Sequence, residues 1–311
     1  MRIGFFGTPQ IAAYCLGELA RAHDVAFIVS NDDKPCGRHL KVQCCPAKEV
    51  ALEHGIRFHH PENLKEKRFI DALGLEGADL FVIVAFGRII PREVFEMPRL
   101  GTINLHPSLL PRYRGAAPVE WALINGETET GVTVQMINER LDAGDIIVQE
   151  RLPIPDDFTA ADLYDAVRPL GAGLLLKAID LLDSGDARPR PQDDTEATYC
   201  GKIDHELAHI NWNTMAMSIH NLTRGLNPRP GAWTGFRGAH IKIWKTAQPA
   251  EGGPGEPYAP GQVLIHQKKR LFAGTADGWI EILSLQPGTK RVMDGLSFIN
   301  GYRPGVEDRF E

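Results

Sequence analysis

The sequence predicts an α/β protein: a Rossmann-like, mainly parallel sheet with helices on both faces, followed by a small C-terminal β-barrel of the OB-like type. Short apolar runs alternate with helical patterns along the first half of the chain. A polar, proline-rich stretch then follows at 184–194. Beyond it, short strand-like runs are spaced as in a small barrel. We therefore predict a first domain at 1–184, a linker at 185–204 and a second domain at 205–311.

The individual elements follow from apolar periodicity and from turn residues. In the first half, the sequence predicts strands at 2–6, 25–29, 56–58, 80–85, 102–105, 130–137 and 146–153, and helices at 11–20, 47–54, 64–73, 117–123 and 160–182. In the second half, it predicts a helix at 215–224 and strands at 231–236, 240–246, 261–266, 270–273 and 279–285.

Composition narrows the class of protein. The 311 residues are 43% hydrophobic and 24% charged, which is ordinary for a soluble globular protein, and the net charge of −6 argues against a nucleic-acid coat. No apolar stretch reaches the length of a membrane span, and the start does not resemble a signal peptide. Five cysteines predict reduced thiols in a cytoplasmic protein. Residues 205–311 hold 12 Lys and Arg against 9 Asp and Glu, or +3, while the remainder is −9, which is compatible with a polyanionic partner of the second domain.

A polar site is predicted where the strand at 102–105 ends. Side chains alternate along a strand, so Asn104 and His106 point to the same side at the edge of the sheet where ligands bind. The turn containing Asp142 leaves the same sheet, and a carboxylate beside an imidazole fixes its orientation. An amide and an imidazole can stabilise an oxyanion while a carboxylate manages the protons of an attacking amine. This set therefore favours acyl transfer to an amine.

Three other patterns carry alternative chemistry. Ser108 could act as a nucleophile, although it lacks the G-x-S-x-G turn. The run from His205 to His209 matches the H-E-x-x-H zinc motif, yet it continues into an extended stretch, so an acidic exposed turn accounts for it better. A cysteine cluster, Cys36, Cys44 and Cys45, lacks a paired C-x-x-C, and its role is left open; we expect no metal.

The stretch from Asn104 to Pro118, with Glu127–Thr133 and Leu141–Ile146, resembles the folate-dependent formyltransferases, and the similarity extends over nearly the whole chain. This resemblance implies that 10-formyltetrahydrofolate is the formyl donor. It implies that the catalytic residues are Asn104, His106 and Asp142, and that the folate-contacting residues are Ser108, Leu109, Leu110, Pro111, Phe86 and Gly87.

The acceptor is indicated by the start of the chain and by the second domain. The segments 6–9, 33–38, 224–233, 241–245 and 283–290 are similar to those of family members that formylate methionyl initiator tRNA. The resemblance therefore implies a monomeric, cytoplasmic enzyme of translation initiation, with Arg38 and Lys41 as tRNA contacts. His39 and Leu40 depart from the family's more basic loop. The alternatives are a sugar-nucleotide N-formyltransferase, a glycinamide-ribonucleotide formyltransferase, which normally lacks the second domain, and a folate- or tRNA-binding module without catalysis.

Overall fold

A computed structural model describes residues 1–31, 34–36, 41–248 and 254–311, with backbone only at 34–36 and 41–43. Its strands are β1 Arg2–Gly7, β2 Asp24–Val29, β3 Lys34–Cys36, β4 Lys41–Gln43, β5 Arg57–His59, β6 Leu80–Val84, β7 Thr102–His106, β8 Arg114–Gly115, β9 Glu129–Met136, β10 Ile146–Pro153, β11 Tyr199–Cys200, β12 Ala232–Phe236, β13 Ala239–Ala247, β14 Val263–His266, β15 Arg270–Gly274, β16 Trp279–Pro287 and β17 Met293–Asp294. Its α-helices are α1 Gln10–Ala22, α2 Pro46–Glu53, α3 Lys67–Leu75, α4 Arg92–Phe95, α5 Pro118–Ile124, α6 Ala160–Ser184, α7 Ala216–Gly225 and α8 Gly295–Tyr302, and a 3₁₀ helix spans Asp194–Glu196.

Two compact units make up the chain: residues 1–115, 129–153 and 164–199 form one, and residues 116–128, 154–163 and 200–311 form the other. The division at 184 and 205 into separate domains stays a prediction. Within the first unit, however, part of the segment predicted as a linker contacts the sheet, because Arg190 pairs with Ile146 at the start of β10. Among the described residues, no helix is long and apolar enough to cross a membrane.

The first unit is built on a seven-stranded sheet of order β10-β9-β7-β6-β1-β2-β5. Strands β7, β6, β1, β2 and β5 are parallel, while β9 and β10 add to one edge in antiparallel fashion. Every residue of β6 and β7 is buried. Burial on both faces explains why β6 is a continuous apolar run in the sequence. The predicted mainly parallel sheet is confirmed.

The two faces of this sheet pack against different helices. Phe6, Phe27 and Phe81 form one aromatic cluster with Phe69 of α3, and their rings meet edge to face or tilted. The opposite face carries Gly7, where an added Cβ would lie 2.6 Å from a side-chain carbon of α1 and 2.7 Å from a backbone oxygen of β6. The turn after β1 therefore requires glycine because α1 approaches the sheet too closely for a side chain.

The second unit contains a six-stranded antiparallel sheet of order β12-β13-β16-β15-β14, with β17 paired to β16. The last four residues of the chain join its two edge strands. Phe310 bridges to Phe236 in β12, and Arg309 bridges to Gln262 beside β14. This C-terminal segment supplies partners for edge groups that would otherwise be unpaired, and it closes the sheet into the predicted barrel.

Candidate active site

Strand β7 places two of the three predicted catalytic side chains. Asn104 lies opposite Gln135 of β9, and His106 lies opposite Thr133, so all four side chains share one face of the sheet. Asn104 is 9% exposed and His106 is 4% exposed. These polar groups are held at the end of a buried strand, where the chain after the strand provides their remaining partners.

The hydrogen-bond partners of His106 determine which ring nitrogen faces the site. Nε2 lies 2.8 Å from the carbonyl oxygen of Tyr113, and that oxygen can only accept, so Nε2 carries a hydrogen and donates. Nδ1 lies 3.7 Å from Oδ2 of Asp142, which is too long for a hydrogen bond but close for an ion pair. The imidazole is therefore anchored through one nitrogen and presents the other to the carboxylate.

Asp142 accepts hydrogen bonds through both carboxylate oxygens. Oδ2 accepts from the backbone N–H of Gly115 at 2.9 Å, and Oδ1 accepts from Nε2 of Gln135 at 3.2 Å and more weakly from Nδ2 of Asn104 at 3.4 Å. These partners are all donors, which suits an ionised carboxylate. The structure thus brings Asn104, His106 and Asp142 into one cluster, although Asn104 and Asp142 are 38 residues apart along the chain.

The loop after β7 is held by its own hydrogen bonds. The Ser108 hydroxyl is fully buried and donates to the carbonyl of Arg112 at 2.6 Å, while the Thr133 hydroxyl donates to the carbonyl of Ser108 at 2.7 Å. A hydroxyl enclosed in this way is not positioned to attack a substrate. Of the other loop residues predicted to contact folate, Leu110 is buried, whereas Leu109 and Pro111 are partly exposed.

Phe86 and Gly87, which follow β6, differ in what they can offer a ligand. The Phe86 ring is 2% exposed and packs edge to face on Phe6 in the core, while its carbonyl accepts a hydrogen bond from Asn31 at 2.9 Å. Gly87 is exposed and has a φ of 75°, a backbone conformation that favours glycine. At this position the backbone, and not the aromatic ring, is available to a ligand.

The predicted tRNA contacts, Arg38 and Lys41, lie in a segment that the structure describes only in part. Arg38 lies outside the described residues, and for Lys41 only the backbone of β4 is described, as is that of β3 for Cys36. Nearby, the Cys45 thiol lies 3.0 Å from the Ser30 hydroxyl. The role of the three clustered cysteines stays open. Over the part of the chain that the structure describes, no group of three or more His, Cys, Asp and Glu residues could hold a metal ion.

The H-E-x-x-H segment forms a turn and not a helix. Residues 205–208 are a turn, and the rings of His205 and His209 pack on Trp233 with centroid distances of 4.6 and 4.2 Å. The two imidazoles are thus arranged around an indole of β12. The predicted exposed turn is confirmed.

Sequence reasoning missed Gln135 and Gln192, which contact Asp142, and Arg114, which bonds to Gln192. Alternation along β9 could have placed Gln135 beside Thr133, but its register against β7 had to be known. Gln192 was assigned to a linker and Arg114 to a loop, and only the packed structure shows that they meet. Arg114 is 1% exposed; burial opposes its charge, but hydrogen bonds to Asp194 and Tyr199 raise its pKa above the ordinary value.

Comparison with known proteins identifies the family of this chain. Residues 1–179 match the family model described as formyl transferase, and residues 202–303 match the one described as formyl transferase, C-terminal domain. The class is therefore that of a formyl-transferring enzyme. The "Methionyl-tRNA formyltransferase" of Carboxydothermus hydrogenoformans is 39% identical over 312 residues, covering 100% of both chains, and that of Fusobacterium nucleatum is 38% identical over 302 residues, covering 97% of both. The chain belongs to the formyl transferase family and, within it, to the methionyl-tRNA formyltransferases.

Solved structures share the fold at lower sequence identity. An N-formyltransferase from Helicobacter canadensis, in complex with folinic acid and dTDP-3-aminofucose, has a TM-score of 0.66 at 22% identity, covering 92% of this chain and 98% of its own. HypX from Aquifex aeolicus, in complex with tetrahydrofolic acid, has a TM-score of 0.64 at 21% identity, covering 98% of this chain and 48% of its own. At these identities the likeness establishes the fold alone.

Proposed function

We propose that this protein transfers a formyl group from 10-formyltetrahydrofolate to the α-amino group of methionyl initiator tRNA, a step of translation initiation in protein biosynthesis. The observation that carries the proposal is the cluster of Asn104, His106 and Asp142 in a chain that is 38–41% identical to methionyl-tRNA formyltransferases over nearly its full length. Binding alone would not require an amide, an imidazole and a carboxylate in mutual contact.

The cluster fits direct attack by an amine. The methionyl nitrogen forms a bond to the formyl carbon and loses a proton, the bond from that carbon to the donor nitrogen breaks, and the donor nitrogen takes up a proton so that tetrahydrofolate leaves. The Asn104 amide can donate to the oxyanion that develops on the formyl oxygen. Because Nε2 of His106 donates to the Tyr113 carbonyl, a second hydrogen bond to that oxyanion comes from Nδ1, which carries a hydrogen when the ring is doubly protonated. Asp142 lies 3.7 Å from Nδ1, where it orients the ring and assists removal of the amine proton.

The donor is proposed to lie along the loop after β7. Two hydrogen bonds fix the backbone of this loop at Leu110. The Thr133 hydroxyl accepts from the Leu110 N–H at 3.2 Å, and the Gln149 amide donates to the Leu110 carbonyl at 2.9 Å. A rigid loop can present Leu109 and Pro111 to the pterin with little loss of conformational entropy. Ser108 would support this loop from inside, and Phe86 and Gly87 would contribute backbone groups.

The acceptor is proposed to be a tRNA because residues 202–303, which belong to the barrel, match the C-terminal domain of the family. Residues 205–311 have a charge balance of +3, which favours a phosphate-rich partner, in contrast to the −9 balance of residues 1–204. Arg38 and Lys41 are proposed to contact the tRNA. We further propose that the protein acts as a monomer in the cytoplasm, where aminoacylated tRNA is used.

The test compares acceptors at equal concentration with 10-formyltetrahydrofolate as donor. Tetrahydrofolate release is followed with methionyl initiator tRNA, with an amino-sugar nucleotide and with glycinamide ribonucleotide. Release that depends on the charged tRNA supports the proposal. Release with the sugar nucleotide but not with the tRNA would show that the proposed acceptor is wrong and that the proposed chemistry is right. Folate binding without turnover of any acceptor would show that the protein is a binding module and not a transferase.

A further inference from the structure

The carboxamide of Gln192 holds the turn that carries Asp142. Its Nε2 lies 2.9 Å from the backbone carbonyl of Asp142, 2.7 Å from that of Gly144 and 3.0 Å from Oε1 of Gln135. Three acceptors therefore converge on one side-chain nitrogen that has two hydrogens. Gln192 is half-buried and lies in the segment predicted as a linker, so its presence at the active-site turn requires a specific packing of that segment.

The turn needs such support because Asp142 has an unfavourable backbone conformation. Its φ is 47°, a left-handed value that non-glycine residues adopt only where their surroundings impose it. Two residues later, an added Cβ on Gly144 would lie 1.8 Å from the Met136 carbonyl, so the turn is pressed against the end of β9. Gln192 binds the backbone carbonyls of Asp142 and Gly144 and so stabilises the conformation of this turn.

Arg114 determines the orientation of the Gln192 amide. Its Nε and one of its terminal nitrogens donate to Oε1 of Gln192 at 3.0 and 2.8 Å. A guanidinium can only donate and a backbone carbonyl can only accept, so the amide oxygen faces Arg114 and the amide nitrogen faces the turn. Arg114 is itself neutralised by Asp194, at 2.8 Å, which also pairs with Arg140 at 2.6 Å.

We propose that Gln192, oriented by Arg114, is a positioning residue for the formyl transfer: it fixes the Asp142 turn and, through Gln135, the direction of the Asp142 carboxylate toward His106. Gln135 connects the two because its Oε1 accepts from Gln192 while its Nε2 donates to Oδ1 of Asp142. This inference rests on the proposed function of Asp142. A displacement of about 1 Å in such a group can reduce a rate by about 100-fold.

Gln192→Glu is the decisive variant because it keeps the shape and the oxygen that accepts from Arg114. It replaces the donating nitrogen with an oxygen that faces three acceptors, so the turn loses its support while the buried guanidinium keeps a partner. We expect kcat to fall by roughly 10- to 100-fold, with KM for donor and tRNA within about threefold of wild type. Gln192→Ala should show a similar loss of kcat. Arg188→Ala is the matched control, because its side chain is in the same segment and, among the described residues, bonds only to the local carbonyls of Gly185 and Ala187.

A double-mutant cycle with Asp142→Asn separates positioning from general destabilisation. If Gln192 acts through Asp142, the Gln192→Glu substitution costs little further activity once Asp142 is changed; additive losses would overturn the inference. A wild-type rate for Gln192→Glu would overturn it as well. Should wild-type protein fail to formylate any acceptor, the proposed function fails instead. The NMR signal of the His106 ring then tests the inference without turnover. If the inference holds, the signal shifts in Gln192→Glu but not in Arg188→Ala. An unchanged signal in Gln192→Glu contradicts it.

Discussion

Replacing Asp142 by asparagine removes one charge from the catalytic cluster at almost constant volume. The asparagine oxygen can still accept from the Gly115 N–H, but its nitrogen then faces the donating nitrogens of Gln135 and Asn104. The new amide nitrogen, a donor, would face two other donors at the position where one carboxylate oxygen now accepts from both. The variant therefore loses the charge beside His106 and also introduces a hydrogen-bond conflict at the site.

The size of the effect follows from the distance between Oδ2 and Nδ1, which is 3.7 Å. Two unit charges about 4 Å apart interact by about 4 kcal/mol at an effective dielectric constant of about 20. The Asp142 side chain is 11% exposed, so this dielectric is more suitable than that of water. Only the part of the interaction realised in the transition state changes the rate, and about 3 kcal/mol corresponds to a loss of kcat of about 100-fold.

The assay is single-turnover formylation of methionyl-tRNA with enzyme and donor in excess, so product release does not mask the chemical step. Asp145→Asn is the matched control, because Asp145 lies in the same turn and is exposed. We expect the control to retain the wild-type rate and Asp142→Asn to lose about two orders of magnitude. A rate for Asp142→Asn within about threefold of wild type would refute the role of this carboxylate in the chemical step.

Three further predictions concern stability and reactivity. Burial, and after it the charge of Arg224, lowers the pKa of His220, so folding favours the neutral ring. The contribution of His220 to the free energy of unfolding is complete above the pKa of the unfolded state and is lost as pH falls through the pKa of the folded state. Urea unfolding at pH 7.5 and at about 5.5 should show a smaller pH dependence for His220→Gln than for wild type. Burial raises the pKa of the Cys15 thiol to about 12, so native protein at about pH 8 should be alkylated at Cys44 long before Cys15; equal rates of labelling would contradict this. Gly7→Ala should lower the free energy of unfolding by about 1–3 kcal/mol, whereas Gly173→Ala, which meets nothing within 4 Å, should not lower it.

The strands that position the site could be predicted because their signal is local. The apolar run of β6 and the Asn-x-His alternation of β7 fix which side chains share a face, and the observed strands Leu80–Val84 and Thr102–His106 agree with the predicted 80–85 and 102–105 within one residue. The meeting of Asn104 with Asp142 was predicted from a shared edge of the sheet, which is a rule for parallel strands. In the structure β9 is antiparallel to β7, and its last residue, Met136, lies opposite Ile103 near the start of β7. The turn with Asp142 therefore folds back toward Asn104, and the rule does not explain this contact.

What could not be predicted depends on long-range packing. Nothing local in a polar, proline-rich segment indicates that Gln192 will meet a buried Arg114, since 78 residues separate them along the chain. The closure of the barrel by Arg309 and Phe310 likewise depends on where the chain end lies relative to two edge strands. The buried Ser108 hydroxyl and the buried Phe86 ring show the same limit, because motif matching places residues near a site without fixing the direction of their side chains.

The most direct test of the central claim follows the formyl carbon itself. The protein is given 10-formyltetrahydrofolate labelled at the formyl carbon together with methionyl initiator tRNA, and the methionine released from the tRNA is analysed by mass spectrometry. The account predicts labelled N-formylmethionine with wild-type protein and about 100-fold slower labelling with Asp142→Asn. Methionine that stays unlabelled with wild-type protein, while the donor is consumed or another amine takes the label, would contradict the account.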